Sequence, residues 1–224
     1  MVPWVHLGTA TVPDGGTLRL MQRGAEFSIR VDGAELMNSR LSGSEEALAR
    51  LALYRIAGRV APRVLIGGRG MGFTLRAAQA AAGPEAQFVV AEIVPELVEW
   101  ARGPMVGIFG DSLTDPRLEL RIDDVGVVIR AAPAAYDAIL LDVDNGPEAV
   151  SRPENDALYR EESLLAAYRA LTPGGVLAVW SAAADAGFTR ELRRCGFQVE
   201  THKVRANRGK RGARHTIWIA ARPA

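Results

Sequence analysis

The segment RVLIGGRGMGFTLRAAQ, Arg63–Gln79, joins an apolar strand to an amphipathic helix through a glycine-rich turn, and this unit decides the fold. The glycines of the turn are Gly67, Gly68, Gly70 and Gly72. Glycine lets a backbone approach a ligand where a side chain would obstruct it. The dinucleotide fingerprint G-x-G-x-x-G fails, because position 73 is Phe. The turn therefore predicts a ligand site of another type, or a tight turn without a ligand.

Outward from this unit, apolar strands alternate with helical segments. The expected strands are QFVVAEI, LELRIDD, YDAILLDV and GGVLAVWS, and the expected helices are FTLRAAQAAAG, PELVEWARG, REESLLAAYRAL and FTRELRRCG. This alternation predicts an α/β fold with a mostly parallel sheet and helices on both faces. The last two strands, FQVETHKV and HTIWIAA, are joined by a loop alone and predict an antiparallel hairpin. A parallel sheet that closes on such a hairpin resembles the S-adenosylmethionine-dependent methyltransferase fold.

The residues before this domain have a different pattern. From Thr17 to Ser39 apolar and polar residues alternate, with turn dipeptides Arg-Gly and Asp-Gly, and this predicts a small N-terminal β-meander. A helix follows, with Ser44 as its expected N-cap. We therefore expect a β-rich region over residues 1–42 and a methyltransferase-like domain over residues 43–224.

The composition disfavours several classes of protein. Of 224 residues 48% are hydrophobic, the net charge is +1, and no apolar run approaches the roughly 18 residues of a membrane span. The basic segment 203–214 has no interleaved aromatic residues, which disfavours nucleic acid as a partner. His6, His202 and His215 lack the spacing of metal ligands, so no metal site is predicted. The single Cys195 and a start without a signal-peptide pattern predict a cytoplasmic protein.

Acidic residues follow three of the predicted strands. Glu92 ends QFVVAEI, where a carboxylate can accept hydrogen bonds from both ribose hydroxyls. Asp124 follows LELRI, where it would accept from an adenine amino group, and its neighbour Asp123 is the competing candidate. Asp142 ends YDAILLDV. Ligands of open α/β sheets lie beyond the carboxyl ends of the strands, so the turn and these acids predict one nucleoside crevice. For each acid alone, a helix cap or a solvated loop charge is the alternative.

Several segments together resemble the spermidine synthase family. They are GGRGMG after a strand, AEIVPELVEWAR, DPRLELRIDD, YDAILLDVDNGP and LTPGGVLAV, and the resemblance runs from about Asp32 to Trp180. Members transfer an aminopropyl group from decarboxylated S-adenosylmethionine to a polyamine, usually as dimers or tetramers. The resemblance implies a homodimer in which Glu92 binds the ribose, Asp124 lies beside the adenine and Asp142 is the catalytic carboxylate.

The chain departs from the family at positions that contact the amine. The family carries an aspartate in the glycine loop, where this chain has Gly70, preceded by Arg69. In the second active-site loop the family's second acid falls on Asn145, unless the loop uses Asp144. An ammonium group buried without its carboxylate costs roughly 3 to 5 kcal/mol. These departures argue against a polyamine pocket of the usual type.

Arg69 predicts a different ligand. Intact S-adenosylmethionine differs from the decarboxylated form by a carboxylate, which a guanidinium binds bidentately. We therefore expect the glycine turn to bind intact S-adenosylmethionine, and the protein to methylate a small-molecule acceptor. A guanidinium that points to solvent or pairs with a neighbouring acid would remove this argument. The alternatives are aminopropyl transfer, with Asp142 as proton acceptor, and a non-catalytic protein that binds an adenosyl ligand.

Overall fold

The structure, a computed structural model, describes residues 2–13, 16–143, 157–207 and 212–224. The N-terminal region forms a four-stranded antiparallel sheet in the order β1-β2-β3-β4. Its strands are β1 (Val5–Thr11), β2 (Thr17–Arg23), β3 (Glu26–Val31) and β4 (Ala34–Asn38). The last three are the predicted meander, and β1 adds an edge strand that pairs with β2.

The remaining elements form an α/β domain. In chain order they are α1 (Gly43–Arg55), β5 (Arg63–Gly67), α2 (Phe73–Ala81), β6 (Gln87–Glu92), α3 (Pro95–Arg102), α4 (Val106–Phe109), a 3₁₀ turn (Gly110–Leu113), β7 (Leu118–Ile122), α5 (Val125–Arg130), β8 (Tyr136–Leu141), α6 (Glu161–Ala170), β9 (Leu171–Ser181), α7 (Ala186–Arg194), β10 (Gln198–Arg205) and β11 (Arg214–Ala221). The predicted boundary after residue 42 falls between β4 and α1. None of the helices within the described ranges is both long enough and apolar enough to cross a membrane.

The strands of this domain form a seven-stranded sheet in the order β10-β11-β9-β8-β5-β6-β7. The strands from β9 to β7 are parallel, whereas β11 is antiparallel to both β9 and β10. Two clusters of buried apolar side chains cover the sheet. The predicted α/β architecture with its C-terminal antiparallel hairpin is therefore confirmed. The chain order reverses between β5 and β8, and such a switch point opens a crevice at the carboxyl ends of the strands.

Helix α5 is an element that the sequence pattern does not reveal. Its sequence, VGVVIR, is rich in β-branched residues, which favour strands over helices. A crossover is nevertheless required here, because β7 lies at the edge of the sheet and β8 pairs in parallel with β5. Asp124 starts the helix, since its carboxylate accepts the N–H of Val127.

A third apolar cluster joins the two regions. Leu20 and Ile29 of the N-terminal sheet are fully buried, and they belong to one cluster with Trp100 of α3 and Phe109 of α4. The N-terminal sheet therefore packs on the side of the α/β domain where β6 leads into α3. This packing places β4 close to the glycine turn, because Met37 lies within 4 Å of a Cβ built on Gly70.

Candidate active site at the switch point of the sheet

A cavity lies at the carboxyl ends of the central strands. Its lining contains Gly68 and Gly70 of the turn and the carboxyl groups of Glu92, Asp123, Asp124 and Asp142. Its apolar wall is built by Val12, Leu18, Leu36, Met37, Ala91, Ile93, Val94, Leu97, Val125, Val143 and Leu158. The fold therefore brings acids from three separate strand ends to one crevice, with the N-terminal sheet closing one side.

The glycines of the turn have two different roles. Gly68 has a φ of 80°, and a Cβ built on it would lie 2.6 Å from the main-chain oxygen of Asp142. Only glycine allows this contact between the ends of β5 and β8. Gly72 has a φ of 78°, and a Cβ on it would lie 2.2 Å from the ring of Phe109. Gly72 therefore serves packing within the protein, and it does not line the cavity.

The guanidinium of Arg69 does not line the cavity and is packed inside the protein. Arg69 is 4% exposed. Its Nη2 donates to the main-chain oxygen of Leu97, and its guanidinium carbon lies 4.7 Å from the ring centroid of Phe109. Burial lowers the pKa of Arg69 to about 10. The guanidinium thus uses Nη2 for a protein contact, while its Nε and Nη1 have no hydrogen-bond partner among the described residues, and the contact with a ligand carboxylate stays a prediction.

Glu92 is a buried carboxylate held by the main chain. Its Oε2 accepts the N–H of Arg69 at 3.1 Å, and its Oε1 accepts the N–H of Val94 at 2.9 Å. Burial raises the pKa of Glu92, while these N–H groups and the nearby Arg69 charge act to lower it. Each oxygen keeps a further lone pair. Glu92 can therefore accept ligand hydroxyls without losing its protein partners.

Asp123 and Asp124 lie side by side at the rim of the cavity. Asp124 Oδ1 accepts the N–H of Val127 at 2.9 Å, and Asp123 Oδ1 accepts the N–H of Asp124 at 2.8 Å. One oxygen of the Asp124 carboxylate therefore caps helix α5, as the helix-cap alternative expects. Both side chains also line the cavity, so both stay candidates for contact with a base.

Asp142 is the acid at the end of β8, next to Gly68. Thr74 at the start of α2 donates its hydroxyl to Asp142 Oδ2 at 2.5 Å. Burial first and the negative charge of Glu45 second raise the pKa of Asp142 to about 7, against the opposing effect of Thr74. A carboxyl group with this pKa suits the role of a general base near neutral pH.

Two predicted site residues, Asp144 and Asn145, lie outside the described residues. Thr74 and Glu45, by contrast, contact or influence Asp142, although they were not predicted as site residues. In the sequence Thr74 is an ordinary early helix residue and Glu45 an ordinary first-turn acid. The packing of α1 against α2 brings both residues close to Asp142.

The fold and the crevice define a methyltransferase-like α/β domain with an acidic cavity at the switch point of its sheet. A family model described as S-adenosyl-L-methionine-dependent methyltransferase matches residues 108–214. The polyamine aminopropyltransferase of Mycobacterium tuberculosis is 31% identical over 161 residues, which cover 70% of this chain and 29% of that protein. Polyamine aminopropyltransferase 2 of Pseudomonas aeruginosa is 32% identical over 152 residues, covering 63% of this chain and 41% of that protein.

Solved structures give the same picture of the fold. Spermidine synthase from Thermotoga maritima has a TM-score of 0.73 and 19% identity, over 96% of this chain and 72% of that one. A spermidine synthase in complex with the transition state analogue AdoDATO has a TM-score of 0.74, also at 19% identity and with the same coverage. The predicted resemblance to the spermidine synthase family is confirmed. It spans less than half the length of the curated relatives that it matches.

Proposed function

We propose that the protein transfers an aminopropyl group from decarboxylated S-adenosylmethionine to an amine acceptor. The charge of the cavity carries this proposal. Its described lining contains four carboxyl groups and no Lys or Arg side chain. The decarboxylated ligand carries a sulfonium and an ammonium group, whereas the intact ligand adds a carboxylate. An acidic lining favours the more cationic ligand.

The argument for intact S-adenosylmethionine rested on Arg69. The contacts of its guanidinium with Leu97 and Phe109 leave no cationic side chain in the described lining to receive a carboxylate. The curated relatives also carry the name aminopropyltransferase. We therefore propose the aminopropyltransferase alternative in place of the methyltransferase expectation.

The residues of the cavity suit this reaction in three roles. Glu92 offers its free lone pairs to the ribose hydroxyls, and Asp123 or Asp124 accepts from the adenine amino group. The sulfonium of the ligand is an activated leaving group, so alignment supplies much of the rate. The amine forms a new C–N bond as the C–S bond breaks, and the electron pair goes to sulfur to give methylthioadenosine. Asp142 takes the proton that the attacking nitrogen loses.

Methyl transfer is the second candidate. It is favoured by the family model over residues 108–214, whose description is a methyltransferase. This reaction would give S-adenosylhomocysteine in place of methylthioadenosine. A small-molecule acceptor, a homodimer and a cytoplasmic location are further proposals that rest on the family resemblance and the sequence.

The two reactions are separated by their products. The full chain is incubated with decarboxylated or intact S-adenosylmethionine and with putrescine, spermidine or no amine, and the products are identified by mass spectrometry. We expect methylthioadenosine together with an amine that has gained an aminopropyl group. Formation of S-adenosylhomocysteine from the intact ligand alone would establish methyl transfer instead. Binding of both ligands without any product would favour the non-catalytic alternative.

A further inference from the structure

A polar cluster lies next to Asp142, outside the lining of the cavity. His215 Nδ1 of β11 lies 2.9 Å from Ser44 Oγ, and Ser44 Oγ lies 2.7 Å from Glu45 Oε2. Ser44 has one hydroxyl hydrogen, which it donates to the carboxylate, so we assign the hydrogen of the first contact to Nδ1 of the imidazole. His215 therefore donates to Ser44, and Ser44 in turn donates to the Glu45 carboxylate.

Thr74 connects this cluster to Asp142. Its hydroxyl oxygen lies 2.5 Å from Asp142 Oδ2 and 3.5 Å from the main-chain oxygen of Glu45. A threonine hydroxyl also has one hydrogen, and the shorter contact takes it. Helices α1 and α2, which pack on each other, thus present a carboxylate and a hydroxyl donor to the same aspartate.

Within the described residues, the other charges around Asp142 do not neutralise the two carboxyl groups of Asp142 and Glu45. Within the described part of the chain, the effects on Asp142 come from its burial, Glu45 and Thr74. Farther out, Glu46 on α1 pairs with Arg50, and burial of His215 lowers its pKa, which favours a neutral imidazole. The main chain of Asp142 packs closely on Gly68. The electrostatic effect of Glu45 on Asp142 therefore acts between two partly buried carboxyl groups, neither of which has an ion pair within the described residues.

We propose that Glu45 and Thr74 are positioning residues with opposite effects on Asp142: the charge of Glu45 strengthens the hold of Asp142 on a proton, and the hydroxyl of Thr74 weakens it. The proposal rests on the proposed function in treating Asp142 as the proton acceptor. It assigns part of the control of proton binding at Asp142 to Glu45 of α1, a residue outside the glycine turn and the strand ends. The directions of the pKa effects agree, since burial and Glu45 raise the pKa of Asp142 and Thr74 lowers it.

The direct test is a carbon-13 NMR titration of the full-length protein with labelled aspartate carboxyl groups. Asp142→Asn identifies the signal of Asp142 by its loss. Glu45→Gln and Thr74→Val change one functional group each at nearly constant volume. Glu99→Gln on the exposed side of α3 is the matched control for removal of one negative charge. Amide spectra of each variant verify that the fold is intact.

The proposal predicts shifts in opposite directions. The Asp142 signal titrates at lower pH in Glu45→Gln and at higher pH in Thr74→Val, and it is unchanged in Glu99→Gln. The rate gives a second readout, because with a pKa of about 7 only about one tenth of Asp142 is ionised at pH 6. Glu45→Gln should therefore raise the ratio of kcat/KM at pH 6 to that at pH 8 by up to about tenfold, and Thr74→Val should lower the ratio.

An unchanged signal in Glu45→Gln, or shifts of the same sign in Glu45→Gln and Thr74→Val, would overturn the proposal. The titration needs no turnover, so the two proposals fail separately. Opposite shifts without any transfer activity would sustain the role of Glu45 and reject the proposed function. Transfer activity with unchanged titrations would sustain the function and reject the role of Glu45.

Discussion

The two ends of the cavity each contain a carboxyl group whose pKa is raised by burial, yet their surroundings differ. Glu92 is held by two main-chain N–H groups and has the positive charge of Arg69 nearby. Asp142 is held by the side chain of Thr74 and has the negative charge of Glu45 nearby. At Glu92 the main-chain N–H groups and the Arg69 charge oppose the rise in pKa, whereas at Asp142 the charge of Glu45 adds to the rise and only Thr74 opposes it. The same chemical group is therefore suited to binding at one end and to proton transfer at the other.

Removal of Asp142, the proposed proton acceptor, should have the largest effect. Asp142→Asn keeps the shape of the side chain but cannot accept the proton, so kcat should fall by about 100-fold to 10,000-fold. Affinity for methylthioadenosine should change little, because Glu92 at the other end is intact. Steady-state kinetics and calorimetry on the same preparation test this contrast. A variant that retains kcat would show that Asp142 is not the base.

The same substitution should stabilise the fold at high pH. The ordinary pKa of an aspartate is 3.8, and that of Asp142 in the folded protein is about 7. The folded state thus holds the proton more tightly, and its stability falls as pH rises between these values. Asp142→Asn removes this loss, so its free energy of unfolding at pH 8 should exceed that of the unchanged protein by up to about 4 kcal/mol.

Urea unfolding at several pH values measures this gain. It should disappear below about pH 4, where the carboxyl group is protonated in both states. Asp111→Asn, at an exposed position in the 3₁₀ turn, serves as the control and should show no such pH dependence. A gain that is equal at pH 4 and pH 8 would contradict the assignment of the raised pKa to Asp142.

At the binding end, Glu92→Ala should weaken methylthioadenosine by about 1.5 to 3 kcal/mol, the scale of a hydrogen bond to a charged group. Stability should fall as well, because the N–H groups of Arg69 and Val94 lose their acceptor. Calorimetry at a temperature where circular dichroism shows a folded variant measures the first effect. Undiminished affinity would remove Glu92 from the site.

Arg69→Met should have the smallest effect and should not depend on the ligand. Its guanidinium does not line the cavity, so it influences the site indirectly, through its contact with Leu97 and its charge near Glu92. We expect a loss below about 1.4 kcal/mol, a tenfold change in affinity, that is similar for methylthioadenosine and for both forms of S-adenosylmethionine. A loss confined to the intact form would return Arg69 to the role predicted from the sequence.

The sequence predicts the fold and the acids that line the cavity, because both follow from local patterns. Apolar strands ending in Glu92 or Asp142 mark positions that a parallel sheet must bring to one edge. Helix α5 stays hidden because its β-branched residues favour a strand. The direction of the Arg69 side chain and the approach of Glu45 to Asp142 depend on the packing of helices far apart in sequence. No local pattern encodes such contacts.

The central claim is an acidic cavity without a cationic side chain in its described lining. The preference of the protein between the two forms of S-adenosylmethionine tests this claim most directly. Isothermal titration calorimetry of the unmodified full-length protein with each form compares ligands that differ by a single carboxylate. The account predicts that the decarboxylated form binds more tightly by at least about tenfold, or 1.4 kcal/mol. Equal affinity, or tighter binding of the intact form, would contradict it.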